Sequence, residues 1–210
     1  MFDLETVRKA PVATEPFSYF LATSVLSPAA LDEIRIDFPK ITNSGVFPLE
    51  ELKYGPSFAD LIAEIRSAEF EQLVEQKLGV SLAGRPLMIT VRGHCAARDG
   101  RIHTDSKDKI VTGLLYLNDA SWNANTGRLR LLRNGTNLED MIAEVPPDGG
   151  TLVLFKRSDN SWHGHHPYEG QRRYIMFNWL TSDLTLAKNV GRHKLSARIK
   201  KLNPFARREA

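Results

Sequence analysis

A single cysteine, Cys95, stands in 210 residues. One thiol excludes an internal disulfide and fits a reducing compartment such as the cytoplasm. No run of 18 apolar residues occurs, so no stretch reads as a membrane-spanning helix. The N-terminus, Met1-Phe2-Asp3-Leu4-Glu5, lacks the basic-then-apolar layout of a secretory signal. Internal repeats and low-complexity tracts are absent too. The net charge of +3 is not spread along the chain. From Leu184 onward eight Lys/Arg face one acid, Glu209, a net of +7 that leaves −4 for the rest. A basic tail on a mildly acidic body does not make a nucleic-acid-binding fold, and no RNA or DNA motif is visible.

What remains is ordinary globular material. An apolar share of 42% and a charged share of 25% suit one domain with a sizeable core and a helical flank. Residues 1–26 read as a partly extended lead-in anchored by Phe17, Tyr19 and Phe20. Ser27-Pro28 is a helix start, a capping side chain followed by proline at the first helical position. Leu31, Ile34 and Phe38 then fall on one face. A second helix opens at Ser57 with Phe58, Leu61, Ile62 and Ile65. A third runs from about Ser67 to Leu78, and Gly79 stops it. From residue 86 the pattern changes to short strands: 86–92, 109–117, 128–132, 151–155 and 173–180. Gly, Pro and Asn turns separate them, as in a sandwich or jelly roll. The segment 138–145 fits either a helical turn or a strand. Residues 1–85 are thus a helical flank, 86–183 a β core and 184–210 a basic tail. In the tail Leu195, Ile199 and Leu202 mark a short amphipathic helix. It either packs on the body or, less simply, touches an anionic membrane surface.

One stretch carries chemistry. In Ile102-His103-Thr104-Asp105, residues two apart on an extended strand point the same way. An imidazole and a carboxylate aimed at one point are two-thirds of the two-histidine, one-carboxylate face that holds non-haem Fe(II). A later histidine must complete it, and His163, His165 and His166 all offer themselves about sixty residues on. An arginine pair, Arg172-Arg173, follows. Strand alternation sends one of the two inward. Lys109 reads as a surface lysine with a secondary claim on the substrate mouth, and Arg92 is a similar case.

Six pieces in order resemble the prolyl-4-hydroxylase-like branch of the 2-oxoglutarate/Fe(II) dioxygenases. They are His103-Thr104-Asp105, Tyr116-Leu117-Asn118, Thr126-Gly127-Arg128, Gly150 to Phe155, Trp162-His163 and Arg173-Tyr174. The likeness spans about residues 86–182. A Gly-Gly pair usual before one strand is replaced here by Thr126-Gly127. The resemblance implies a double-stranded β-helix (jelly roll, cupin-like) with N-terminal helices packed on its outer sheet. It implies His103, Asp105 and His163 as iron ligands, because Pro167 follows His163 and a cation stands nine or ten residues beyond. Its spacing from cation to a later Trp selects Arg173 with Trp179 for the distal carboxylate of 2-oxoglutarate, and Tyr116 beside it. The implied cofactors are Fe(II), 2-oxoglutarate and O2, with ascorbate as a reductant. The implied reaction is hydroxylation of a prolyl, peptidyl or small-molecule C–H with release of succinate and CO2. A carboxylate at 105 favours hydroxylation over halogenation. The competing expectations are a non-catalytic jelly-roll binding module and a cupin-like zinc protein. The oligomeric state is not legible.

Overall fold

Local chemistry explains the helices. In the computed structural model, which describes residues 1–119, 122, 124–189 and 191, Ser27 caps α2 (Pro28–Ile36) by accepting from the Ala30 N–H. Ser67 caps α4 (Ala68–Leu78) in the same way through the Phe70 N–H. Gly79 ends α4 in the left-handed region at φ 60°, where glycine has no Cβ to clash. Helix α3 (Pro56–Ile65) starts one residue before Ser57, with Gly55 at its cap and Pro56 inside.

The expected lead-in and helical flank need correction. Residues 4–9 form a helix, α1 (Leu4–Lys9), capped by Asp3. The flank also supplies three short strands, β1 (Val12–Ala13), β2 (Tyr19–Ala22) and β3 (Phe47–Pro48), with a 3-10 turn after the last. These strands carry too few residues for a periodic pattern to show. They find partners only when the sheet is assembled.

The core strands are β4 (Leu87–Cys95), β5 (Lys109–Tyr116), β6 (Leu129–Leu132), β7 (Met141–Val145), β8 (Leu152–Lys156), β9 (His163–Gly164) and β10 (Gly170–Leu180). The ambiguous segment 138–145 is therefore mostly strand. A seven-stranded sheet runs β1-β2-β8-β5-β10-β4-β3, and a three-stranded sheet runs β7-β6-β9. Every ladder within them is antiparallel. Together they make a jelly roll with helices on the outside of its larger sheet.

Side-chain alternation divides the larger sheet into two faces. Outward, Ile175, Phe177 and Trp179 of β10 join Phe58, Leu61, Ile65, Phe70 and Leu73 of α3 and α4 in one buried cluster. Phe70 sits at its centre, 5.2 Å from the Phe2 ring and 5.8 Å from Phe177. Burying such a side chain contributes roughly 1.5–3 kcal/mol. Inward, Leu114, Tyr116, Val153, Phe155 and Tyr174 meet Leu129, Leu131 and Val145 of the smaller sheet. The inner face leaves room near one end, and the chemistry-bearing residues gather there. No helix among the described residues is long and apolar enough to cross a membrane. A helical segment at 183–189 follows β10, but the amphipathic pattern at Leu195, Ile199 and Leu202 lies outside the described residues.

Candidate active site

His103 and Asp105 lie in the connection between β4 and β5, and His163 opens β9. His103 is not in a long strand. It is held by a two-residue bridge in which each of His103 and His163 donates its N–H to the other's carbonyl at 3.0 Å. This pair fixes the two rings 4.3 Å apart. Each ring is oriented by a backbone carbonyl. His103 Nδ1 lies 2.8 Å from the Arg101 oxygen and His163 Nδ1 lies 3.0 Å from the Ser161 oxygen. In a neutral ring those nitrogens carry the proton, so both Nε2 atoms present lone pairs. Burial pushes the His163 imidazole down to about 4, which keeps it neutral and available as a ligand.

Asp105 faces the same point, its Oδ1 4.0 Å from His103 Nε2. Burial by itself would raise this carboxyl. The Lys109 ammonium outweighs that effect, helped by His163 and by hydrogen bonds from Lys109 and Thr112, and holds it well below the usual carboxylate range. Lys109 Nζ donates to Oδ1 at 2.8 Å and Thr112 Oγ1 to Oδ2 at 2.5 Å. Asn178 donates in turn to Thr112 Oγ1 at 2.8 Å. Partners of this kind orient a ligand before any metal arrives.

One ligating atom from each of His103, Asp105 and His163 lies within 4.8 Å of the other two. Two imidazoles and one carboxylate on one side, with the opposite side open, fit Fe(II) by donor chemistry. The open side is a cavity of about 230 Å³, lined also by Arg92, Asp99, Leu114, Leu129, Arg172, Tyr174 and Met176. A larger surface groove of about 710 Å³, lined by Phe38, Ile41, Phe47 and Tyr54 among others, holds no such trio of ligating groups among the described residues.

The arginine pair divides as alternation requires, but in the opposite sense to the expectation. Arg172 points into the cavity, 2% exposed. Its Nη2 donates to the Tyr116 hydroxyl at 2.9 Å, and its guanidinium lies 5.0 Å from the Tyr174 ring centre. Its Nε has no hydrogen-bond partner among the described residues. Arg173 lies on the outer face, its guanidinium 5.3 Å from the Phe38 ring centre. The physical reason is parity. Trp179, used to place the cation, packs outward and donates to Glu71 at 3.0 Å. A residue six positions before it on the same strand shares that outward face. Tyr116 is fully buried, and burial pushes its phenol up to about 12. It therefore stays a protonated donor.

The rival histidines separate. His165 lines the cavity but turns its Nδ1 to the His166 carbonyl at 2.7 Å. Burial pushes its ring down to about 4 as well. His166 binds Glu139 at 2.6 Å away from the trio. Two residues undervalued by sequence reasoning belong to the cavity wall. Lys109 is not a free surface lysine, since only 13% of its side chain is exposed. Arg92 is paired with Asp99 there. An i, i+4 relation between Asp105 and Lys109 was the available signal for the first.

Residues 92–181 match the family model of the 2OG-Fe(II) oxygenase superfamily. No curated protein matches the sequence. Among solved structures, a Pseudomonas putida prolyl-4-hydroxylase is similar at 16% identity, with a TM-score of 0.55, covering 86% of this chain and 97% of its own. A Trichoplax adhaerens prolyl hydroxylase, solved with a hypoxia inducible factor oxygen degradation domain peptide fragment, is similar at 17% identity and TM-score 0.54, over 77% of this chain and 83% of its own. HygX from Streptomyces hygroscopicus, solved with nickel and 2-oxoglutarate bound, is similar at 14% identity and TM-score 0.51, over 77% and 82%.

Proposed function

We propose that this chain, a prolyl-4-hydroxylase-like 2-oxoglutarate/Fe(II) dioxygenase, uses His103, Asp105 and His163 to hold the metal and Arg172 with Tyr116 to hold the cosubstrate. The observation that carries the assignment is convergence. A trio of potential ligands and a buried guanidinium with no carboxylate partner among the described residues open into the same small cavity. Bound there, Fe(II) would supply O2 activation coupled to decarboxylation of 2-oxoglutarate to succinate and CO2 and hydroxylation of a C–H bond.

The chain's own groups do the rest. Arg172 offers a planar set of donors that matches a carboxylate, and the Tyr116 phenol adds a neutral donor beside it. The Asn178–Thr112 chain fixes one oxygen of Asp105 and leaves the other facing His103 Nε2. Leu114, Leu129 and Met176 exclude water from the walls. The cavity is smaller than the roughly 300–1,000 Å³ of sites that enclose a drug-sized ligand. It suits a small dicarboxylate plus the reacting end of a larger molecule at the mouth. The peptide in the Trichoplax relative's complex supports a peptidyl substrate here, with a small molecule as the alternative. Ascorbate as the reductant of oxidised metal is what the family resemblance implies, and the lone buried Cys95 suits a reducing compartment such as the cytoplasm.

The test is anaerobic. Fe(II) followed by 2-oxoglutarate should give a weak visible charge-transfer band, lost in His163→Ala and weakened in Arg172→Met. A wild-type protein that never shows the band, or that holds zinc tightly in its place, overturns the assignment.

A further inference from the structure

Three cations and two carboxylates line the candidate cavity: Arg92, Lys109 and Arg172 against Asp99 and Asp105. One positive charge is in excess. On the function proposed above, a ferrous dication and a 2-oxoglutarate dianion enter the same space and cancel each other, so the excess persists in the loaded site. The geometry locates it. Arg92 is committed to Asp99, and Arg172 to the distal carboxylate of the cosubstrate. Lys109 is left. Its ammonium donates to Asp105 Oδ1 at 2.8 Å, the oxygen that faces His103 Nε2. A dication at that oxygen becomes its dominant partner and repels the ammonium beside it. Lys109 then presents a cation at the edge of the metal face. Lys109 lines the same cavity as His103, with 13% of its own side chain exposed.

We infer that Lys109 anchors a carboxylate of the primary substrate, so that the molecule hydroxylated here is an acid, either a small free acid or a peptide engaged through its C-terminal carboxylate. This rests on the metal and cosubstrate assignment above. An ammonium is suited to the task, being a compact charge on a flexible stem. The small remaining volume restricts what enters beside the cosubstrate to a short group near that charge. A neutral amide in the same place leaves the ammonium poorly partnered, which separates acids from their amides.

The experiment compares matched pairs on the anaerobic Fe(II)·2-oxoglutarate protein. One arm uses N-acetyl amino acids and their primary amides. The other uses short N-acetylated peptides with free and with amidated C-termini. The readouts are the shift of the charge-transfer band and, with O2 admitted, stimulated 2-oxoglutarate turnover. Acids should act at concentrations about tenfold or more below those of their amides, as a charge-assisted contact implies. The arm that shows the preference identifies the source of the carboxylate. In Lys109→Gln, which keeps a donor for Asp105 but not the charge, the preference should collapse to within about twofold, and Lys109→Arg should restore much of it. Cobalt(II) absorption establishes first that each variant loads metal. No preference in wild type, no response from either arm, or a preference that survives in Lys109→Gln overturns the inference while the band itself still supports the function. Absence of the band in wild type removes the function instead.

Discussion

Replacing Arg172 with methionine tests the placement of the cosubstrate most directly. The guanidinium is 2% exposed and donates to the Tyr116 hydroxyl, so a carboxylate arriving there meets a donor set already stripped of water. Hydrogen bonds to charged groups contribute about 1.5–3 kcal/mol each, and truncating one partner of a buried pair costs about 2–5. A loss of about 2–4 kcal/mol corresponds to a roughly thirty- to several-hundredfold rise in the 2-oxoglutarate concentration for half-saturation. Methionine keeps a stem that fills part of the space, so the change reads on charge more than on packing. Arg173→Met is the internal comparison. Its guanidinium lies against Phe38 on the other face of β10, and half-saturation should move by no more than about twofold. The assay is an anaerobic titration of the Fe(II) protein, followed by the charge-transfer band, with circular dichroism to show that both variants fold. If Arg173→Met weakens 2-oxoglutarate binding more than Arg172→Met, the parity argument fails and the cavity assignment with it.

Asp105→Ala removes one of the three proposed metal ligands and strands the Lys109 ammonium; Fe(II) or Co(II) binding measured by absorption should be lost, and wild-type affinity would falsify the ligand set. In the metal-free protein His163 and His165 are neutral and sit near 4 instead of about 6.5. The unfolded chain therefore binds more protons between pH 6.5 and 4, and stability should fall as pH drops through that window; a thermal midpoint that is flat from pH 7 to 4.5 contradicts this. His165→Asn should flatten part of the slope. Phe70→Ala empties the centre of the helix-facing cluster and should cost about 3–5 kcal/mol in urea unfolding, with a loss below about 1 kcal/mol showing that the cluster collapses around the gap.

Much of the local structure was legible because it depends on neighbours in sequence. The caps at Ser27 and Ser67 and the glycine stop at Gly79 are each decided within four residues. The change from helical to strand periodicity near residue 86 was legible for the same reason. The short strands β1, β2 and β3 were not, because two to four residues carry no usable period; β1 pairs with β2, while β2 and β3 find partners in the distant β8 and β4. The His103-Asp105 spacing was visible as chemistry. Its geometry was not that of two residues on one strand, since a bridge to His163 holds the first and Thr112 and Lys109 hold the second.

The chain by itself determined the change from helices to short strands, the capped helices at 27–36 and 67–78, and which residue types offer themselves as ligands, because periodicity, capping and donor chemistry are properties of short segments. Tertiary structure decided which of those groups meet. It brought together residues about sixty apart through the mutual hydrogen bonds of His103 and His163. It sent Arg172 inward and Arg173 outward, because Trp179 on the same strand was claimed by the helices. It also turned Lys109 from a surface charge into a partner of Asp105. Alternation along a strand fixes that neighbours face opposite ways, but only the layers packed above and below decide which way is in.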